Sequence, residues 1–405
     1  MNWKIKNFYL IMTVETIAEQ MFVSLTYLLL VYLGYSMTEI GLLLASFTAT
    51  TMVAEIPSGI LVDSIGEKRV MSLSFLLRAI GLFFMAGTRN IVVLILTAVL
   101  TGLAVSLSSG TLQSWIVNEI KEANAPYDIA QVFSNLKIIG PFFGLLSGFV
   151  GAQILGKDNP AIPFYVASAI LIGLLVYVQL VPNVFKPRPR QNHWGQIKQV
   201  YRETVVNLIE ALKDSRILLY FIMFSIPAVL DLGPSNQWQV ILGDAVQEYI
   251  VGYYIIGIGL ATILSNLFLS KVLLKKKLDM VALIDRVLLL DVVTLLVISF
   301  YLPAFPYLFL FHVFLVGING TLIITYIHEK LIKQDHLRTS LVSSFYSLQA
   351  LASSLLLTVN GYLSDLIGIS KTWLVFTLIS MLVFLALRGL TARKEESQDR
   401  EWGKQ

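Results

Sequence analysis

The sequence predicts an all-α polytopic membrane protein, with twelve transmembrane helices in two pseudo-symmetric six-helix bundles. Three observations predict it. The 405 residues are 56% hydrophobic and only 14% charged, with mean hydropathy +0.74, whereas about 25% of residues are charged in soluble domains. Charged or Pro/Gly-rich breaks cut the chain into twelve apolar stretches, each close to the ~20 residues that a helix needs to cross hydrocarbon. The basic residues are distributed unequally between alternate breaks.

Taken in order, the spans run approximately over 8–34, 38–62, 70–88, 91–118, 129–155, 161–181, 216–242, 247–273, 279–301, 304–328, 338–363 and 371–391. An even number puts both termini on one side. With that side cytoplasmic, only Arg89, Lys157 and Lys371 fall in or at the edge of outer loops, and only Arg78, Lys137 and Arg286 lie deep inside spans. All other basic residues are then internal, as the positive-inside rule requires for a multi-pass protein of the cell (inner or plasma) membrane. Lys4 and Lys6 precede the first apolar run, but Glu15 and Glu19 interrupt it and no small-residue cleavage site follows. It reads as a membrane helix and not as a signal peptide. With no cysteine, there is no disulfide framework and no thiolate metal or redox site. No two histidines share a helix at metal-ligand spacing, so no metal and no cofactor are expected.

The longest polar stretch divides the chain into an N-terminal bundle (1–181), a cytoplasmic linker (182–215), a C-terminal bundle (216–392) and a tail (393–405). Pro182, Pro187 and Pro189 suit an extended linker, and Trp194 to Leu212 a helix lying on the inner leaflet. Topology accounts for the linker's basic residues, so nucleic acid is not an expected partner. A weak repeat relates the halves: Lys68, Lys276 and their basic neighbours Arg69 and Lys277 each precede an arginine inside the next span, Arg78 or Arg286. SGF at 147–149 and NGY at 360–362 also align. Six-span repeats are how many secondary transporters are built, with substrate near the midplane between them.

Charges inside hydrocarbon are costly and mark function. Glu15, Glu19, Glu55, Asp231, Asp285 and Asp291 face three bases, Arg78, Lys137 and Arg286, an acidic excess that favours cations. At ~1.5 Å per residue, Glu55 lies about 12 Å inward from Asp63 and Arg78 about 13 Å inward from Arg69, so a Glu55–Arg78 ion pair, structural or gating, is expected. Glu15 and Glu19 share a helix face at the depth of Lys137, a candidate proton or substrate cluster with a permanent Glu–Lys bridge as the alternative. Asp231 and Asp291 are the second half's candidates for the same cavity, or interhelical hydrogen-bonding groups. Asp285 and Arg286, adjacent, point about 100° apart. His312 is expected to be a hydrogen-bonded core residue.

The stretch SGILVDSIGEKRV (58–70) places Gly59, Asp63, Gly66, Lys68 and Arg69 between spans two and three, with Gly59 for close helix approach, Gly66 for a tight turn and Asp63 free to pair with Arg69. Its spacing resembles the loop signature of the major facilitator superfamily, and the six-plus-six organisation extends the resemblance over essentially the whole chain. Glu55-Ile-Pro57-Ser-Gly59, SGTLQSWIVNE (109–119) and NQWQ (236–239) resemble the bacterial drug-efflux-like branch. Gly140, Pro141 and Gly144 resemble the antiporter signature and imply a bend in span five. Ser64 and Glu67 stand where the loop is usually basic, Leu136 and Leu145 replace antiporter glycines, and 96–105 lacks the span-four arginine.

The resemblance implies a non-enzymatic secondary transporter working by alternating access. The expected activity is proton-coupled efflux of lipophilic or cationic small molecules, driven by a gradient of protons or another cation such as Na⁺, with Asp63 in a gate and the chain working as a monomer in the bilayer. Cation-coupled uptake of a small nutrient is the alternative. An intramembrane lipid-modifying enzyme would need a nucleophile–base constellation, and none is present.

Overall fold

Backbone amides inside hydrocarbon are satisfied only by helices or closed barrels, and the computed structural model uses helices alone among the residues it describes. Those are residues 3–122, 128–182, 184–185, 199, 202, 206, 209, 213, 215–246, 248–273, 279–328 and 335–402. In order the helices are α1 (Trp3–Val23), α2 (Thr26–Tyr32), α3 (Met37–Ile65), α4 (Glu67–Met85), α5 (Ile91–Ser108), α6 (Thr111–Glu122), α7 (Ile129–Phe149) and α8 (Ile162–Leu180). They continue as α9 (Ser215–Ala245), α10 (Val251–Phe268), α11 (Met280–Phe300), α12 (Phe305–Tyr326), α13 (Asp335–Ile367) and α14 (Ile369–Trp402). The expected interfacial helix at 194–212 and the pair Lys276–Lys277 lie outside the described residues.

Among the described residues nine helical stretches are long and apolar enough to cross a membrane, or ten if α1 and α2, bent by 42° at a short break, form one span. Helices α4 and α11 miss that standard because they carry charge: Glu67, Lys68, Arg69 and Arg78 on one, Asp285, Arg286 and Asp291 on the other. With these two the helices are consistent with twelve crossings, and the chain is a multi-pass membrane protein.

Contacts divide the chain into two units. The first comprises Met1–Arg202 with Glu248–Ile256 and Leu357–Gly361. Its helices are joined by hydroxyls donating to carbonyls of neighbouring helices: Ser74 to Ala104 (2.7 Å), Ser168 to Ala79 (2.8 Å), Ser106 to Thr51 (2.9 Å) and Ser147 to Ile17 (2.6 Å). Such bonds and small residues replace the hydrophobic drive that is missing between helices in lipid. Gly144 packs on Thr16 and Gln20 of α1, and a Cβ at Gly151 would run into the backbone of Met21. Beyond α7 the chain continues as a π-helix, Val150–Leu155, whose Gln153 donates to the Tyr249 carbonyl (2.9 Å) and accepts from the Gly252 amide (3.0 Å). The Tyr249 hydroxyl donates to Ala152 O (3.1 Å), and burial pushes its pKa up to about 12.

The loop expected between spans two and three, 63–69, is nearly all helix. Helix α3, started by a capping box between Ser36 and Glu39, runs through Asp63 to Ile65, and α4 starts at Glu67. Only Gly66 stands between them, at φ +86°, a conformation that a side chain resists. Gly59 does not mediate close packing, because a Cβ there would meet nothing within 4 Å. Helix α7 passes through Pro141 without interruption.

The second unit comprises Glu203–Gln247, Gly257–Leu356 and Tyr362–Gln405. Its polar core is tied at Gln237 of α9, which accepts from Trp373 Nε1 (2.8 Å) and donates to Ser364 Oγ (3.1 Å).

Candidate functional site

Among the described residues each unit holds a buried group in which a basic residue sits between two acids. In the first unit Arg78 rises from α4 with its side chain 6% exposed. One guanidinium nitrogen lies 3.5 Å from Glu15 Oε1 and the other 3.2 Å from Glu19 Oε1. The four-residue spacing on α1 stacks the two carboxylates on one face, and the forked guanidinium meets both, which a single ammonium does less well. Glu15 is nearly enclosed while Glu19 is 43% exposed. Both line a cavity of about 170 Å³ with Thr16, Ser108, Ser109 and Gln113. The cavity exists because α5 stops at Ser108 and the chain turns through Gly110 at φ +74° before α6. The sequence stretch beginning SGTLQ thus forms its polar wall.

Glu55 does not pair with Arg78: depth was matched but facing was not, and Glu55 is exposed on α3 while Arg78 turns to α1. Lys137 does not join the glutamates either. It is exposed on α7, and Arg78 supplies the positive charge instead. Asp63 and Arg69 are both exposed and form no ion pair with each other, since the Gly66 turn sends them along separate helices. Lys68 donates to the Gln179 carbonyl (3.3 Å), whereas Glu67 is buried. Of the antiporter-like residues, Gly144 packs against α1 while Gly140 has open space at its Cβ position. Trp115 is core, packed on Phe8 and Phe185, with Lys4 Nζ 5.8 Å from its ring and 3.5 Å from Glu119.

In the second unit His312 of α12 is fully buried. Its Nδ1 lies 2.6 Å from Asp291 Oδ1 on α11 and its Nε2 lies 3.0 Å from Asp231 Oδ1 on α9. Asp231 stands between Pro227 and Pro234, both inside α9. Asp291 is 1% exposed and Asp231 27%. The sequence grouped the two aspartates but missed the imidazole that bridges them. A usable signal was there: the two acids need a buried partner, and His312 falls inside the neighbouring span. Asp285 pairs with Arg388 (Nε to Oδ2, 2.6 Å) while Arg286 is exposed, so these neighbours do point apart. No group of three or more metal-ligating side chains able to hold an ion is found among the described residues.

With this geometry in place, comparison with known proteins is informative. The family profile of the Major Facilitator Superfamily matches residues 8–331. The chain belongs to that superfamily of membrane transporters. The "Proton-coupled antiporter flippase LtaA" of Staphylococcus haemolyticus is 28% identical over 221 residues, covering 53% of this chain and 50% of LtaA. The "Quinolone resistance protein NorA" of Staphylococcus aureus is 27% identical over 157 residues, 38% of each chain. The alignments thus span about half the length of these curated relatives, or less. The solved nucleoside transporter NupG superposes with TM-score 0.75 at 15% identity, covering 96% of this chain and 99% of NupG. A POT family transporter in complex with 5-aminolevulinic acid gives 0.69 at 11% identity, covering 96% of each chain. At such identities these two establish the fold.

Proposed function

We propose that the protein is a secondary active transporter, working by alternating access, that exports lipophilic cationic small molecules in exchange for protons. The observation that carries this reading is the cavity lined by Glu15 and Glu19 with Arg78 behind them. With both carboxylates ionised the group carries one net negative charge. A proton on Glu19 cancels that charge, and so does a cationic substrate head beside it. Proton and substrate are therefore alternatives at one site, and mutual exclusion is the thermodynamic core of antiport. At about 170 Å³ the cavity is below the ~300–1,000 Å³ of pockets that enclose drug-sized ligands, so it takes a charged head and leaves an apolar body to be accommodated elsewhere. The names of the relatives LtaA and NorA support coupling and efflux. The positive-inside count supports cytoplasmic termini, and we assign the working unit to the monomer.

Purified protein in liposomes with an imposed pH gradient, offered a panel of cationic, neutral and anionic solutes, tests this. Accumulation of a lipophilic cation that Glu19→Gln abolishes is the expected result. Undiminished transport by that variant removes Glu19 from the mechanism, and counterflow of sugars, amino acids or nucleosides without competition by the cation replaces export with nutrient uptake.

A further inference from the structure

The second unit's triad has a property that follows from hydrogen-bond chemistry alone. A neutral imidazole has one N–H and one lone pair, and an ionised carboxylate only accepts. Both ring nitrogens of His312 lie within hydrogen-bonding distance of a carboxyl oxygen, 2.6 Å to Asp291 and 3.0 Å to Asp231. A bond on each side needs a proton on each side. Two protons must therefore be shared among three groups, and neutral histidine between two ionised aspartates would set a lone pair against a carboxylate inside an apolar core, at high cost.

Two arrangements of those protons satisfy both bonds with a neutral ring. In one, Asp231 is protonated and donates to Nε2 while Nδ1–H donates to ionised Asp291. In the other, Nε2–H donates to ionised Asp231 while protonated Asp291 donates to Nδ1. Moving from the first to the second transfers one proton from Asp231 to Nε2 and one from Nδ1 to Asp291, breaking one O–H and one N–H bond and forming one of each. The net result is one proton carried from a partly exposed carboxyl to a buried one, through an imidazolium intermediate flanked by charge of opposite sign.

Burial gives the path its direction. Asp231 is 27% exposed, His312 0% and Asp291 1%. The far oxygen of Asp291, Oδ2, is buried with no hydrogen-bond partner among the described residues, so the inner end has unused capacity. Among the described side chains no other titratable group competes: on α11, Asp285 is held by Arg388 of α14 and Arg286 is exposed, Lys371 of α14 is exposed, and α9 adds only Tyr220 and Asp244. On α12 itself Tyr307 is 80% exposed and Tyr326 packs, tilted, against Tyr220. Phe309 covers the imidazole at 5.7 Å.

We propose that Asp231, His312 and Asp291 form a proton relay and store of the second unit, separate from the glutamates of the first, with Asp231 as mouth, His312 as carrier and Asp291 as reservoir. Its use in coupling rests on the export reading, but proton uptake itself is measurable without substrate. Infrared difference spectra of the detergent-purified full chain after a downward pH step report protonated carboxyls directly. The expected result is a buried-carboxyl band that Asp291→Asn removes. Its rise should slow about tenfold or more in His312→Gln, which can hydrogen-bond to both carboxyls but cannot carry a proton, and likewise in the milder Asp231→Asn. Glu19→Gln should leave this band in place, so that loss of transport and loss of the relay are read separately. A band that persists in Asp291→Asn, or that rises at the wild-type rate in both His312→Gln and Asp231→Asn, overturns the proposal.

Discussion

Arg78 and His312 each stand between two carboxylates, one in each unit, yet they are chemically opposite. A guanidinium keeps its proton throughout the accessible pH range, so in the first unit the positive charge is fixed and any proton that moves must sit on Glu15 or Glu19. An imidazole can accept on one nitrogen and give from the other, so in the second unit the central residue is itself the conductor. The lesson is that equal charge patterns do different work according to whether the middle group can let go. The repeat between the halves does not preserve this pattern. Arg286, the counterpart of Arg78, is exposed, and the second unit takes its central base from His312 on α12 instead.

The largest effect should come from removing the fixed charge. Arg78→Gln leaves Glu15 buried without its cation, and stranding one partner of a buried pair costs about 3–5 kcal/mol. Thermal unfolding of the purified protein should drop by many degrees. Adding Glu15→Gln to that variant should recover much of the loss, as a double-mutant cycle would show. Arg78→Lys should fall between, because one ammonium does not span both carboxylates as the fork does. If Arg78→Gln alone melts like the wild type, the first unit's charges are a surface feature and the contrast with the second unit fails.

The position of α1 keeps Glu19 in reach of Arg78, and Gly151 tests that dependence. A Cβ there would press on the backbone of Met21, two residues from Glu19, and backbone cannot yield as a side-chain tip does. Gly151→Ala should cost about 1–3 kcal/mol as overpacking and reduce gradient-driven transport along with stability. Gly140→Ala, with open space at its Cβ position, is the control and should change neither.

These residues also show what the sequence could reveal. Fold class was legible because it depends on composition and on the counting of apolar stretches, which neither packing nor facing alters. Individual partners were not. Matching depth along adjacent spans put Glu55 and Arg78 at one level, but a helix turns each successive residue by about 100°, and only packing determines which face turns inward. Lys137 failed for the same reason. His312 lies 21 positions from Asp291 and 81 from Asp231, so no local spacing could join them. Gly144 was legible through its motif, whereas Gly151, which makes the closer approach to α1, belongs to no motif and showed only as the next small residue after Gly148.

A smaller effect separates exposed from enclosed ion pairs within the second unit. Arg388 is 32% exposed while it pairs with Asp285, so solvent screens the attraction, and Arg388→Gln should cost about 1 kcal/mol or less. A loss as large as that of Arg78→Gln would mean that Asp285, and not the His312 triad, is the second unit's counterpart to Arg78.

The smallest effect sharpens the comparison by supplying an uncharged reference in the first unit. Tyr249 lies outside the membrane spans, half-buried, with its hydroxyl donating to Ala152 O, and burial raises its pKa from 10.0 to about 12. A group whose folded pKa is raised contributes stability that is complete below the unfolded value and is lost as pH rises through the folded one. Tyr249→Phe removes the hydrogen bond, for about 1 kcal/mol, at every pH where tyrosine is neutral. The gap in melting temperature between wild type and Tyr249→Phe should therefore stay constant up to about pH 10, close within about one unit above it and reverse as pH approaches 12. A gap that stays unchanged up to about pH 12 would mean that the phenol meets water freely, because its pKa would then be the same folded and unfolded. The contact of Tyr249 with the π-helix after α7 would then add nothing to the packing that holds α1, and with it Glu19, against Arg78.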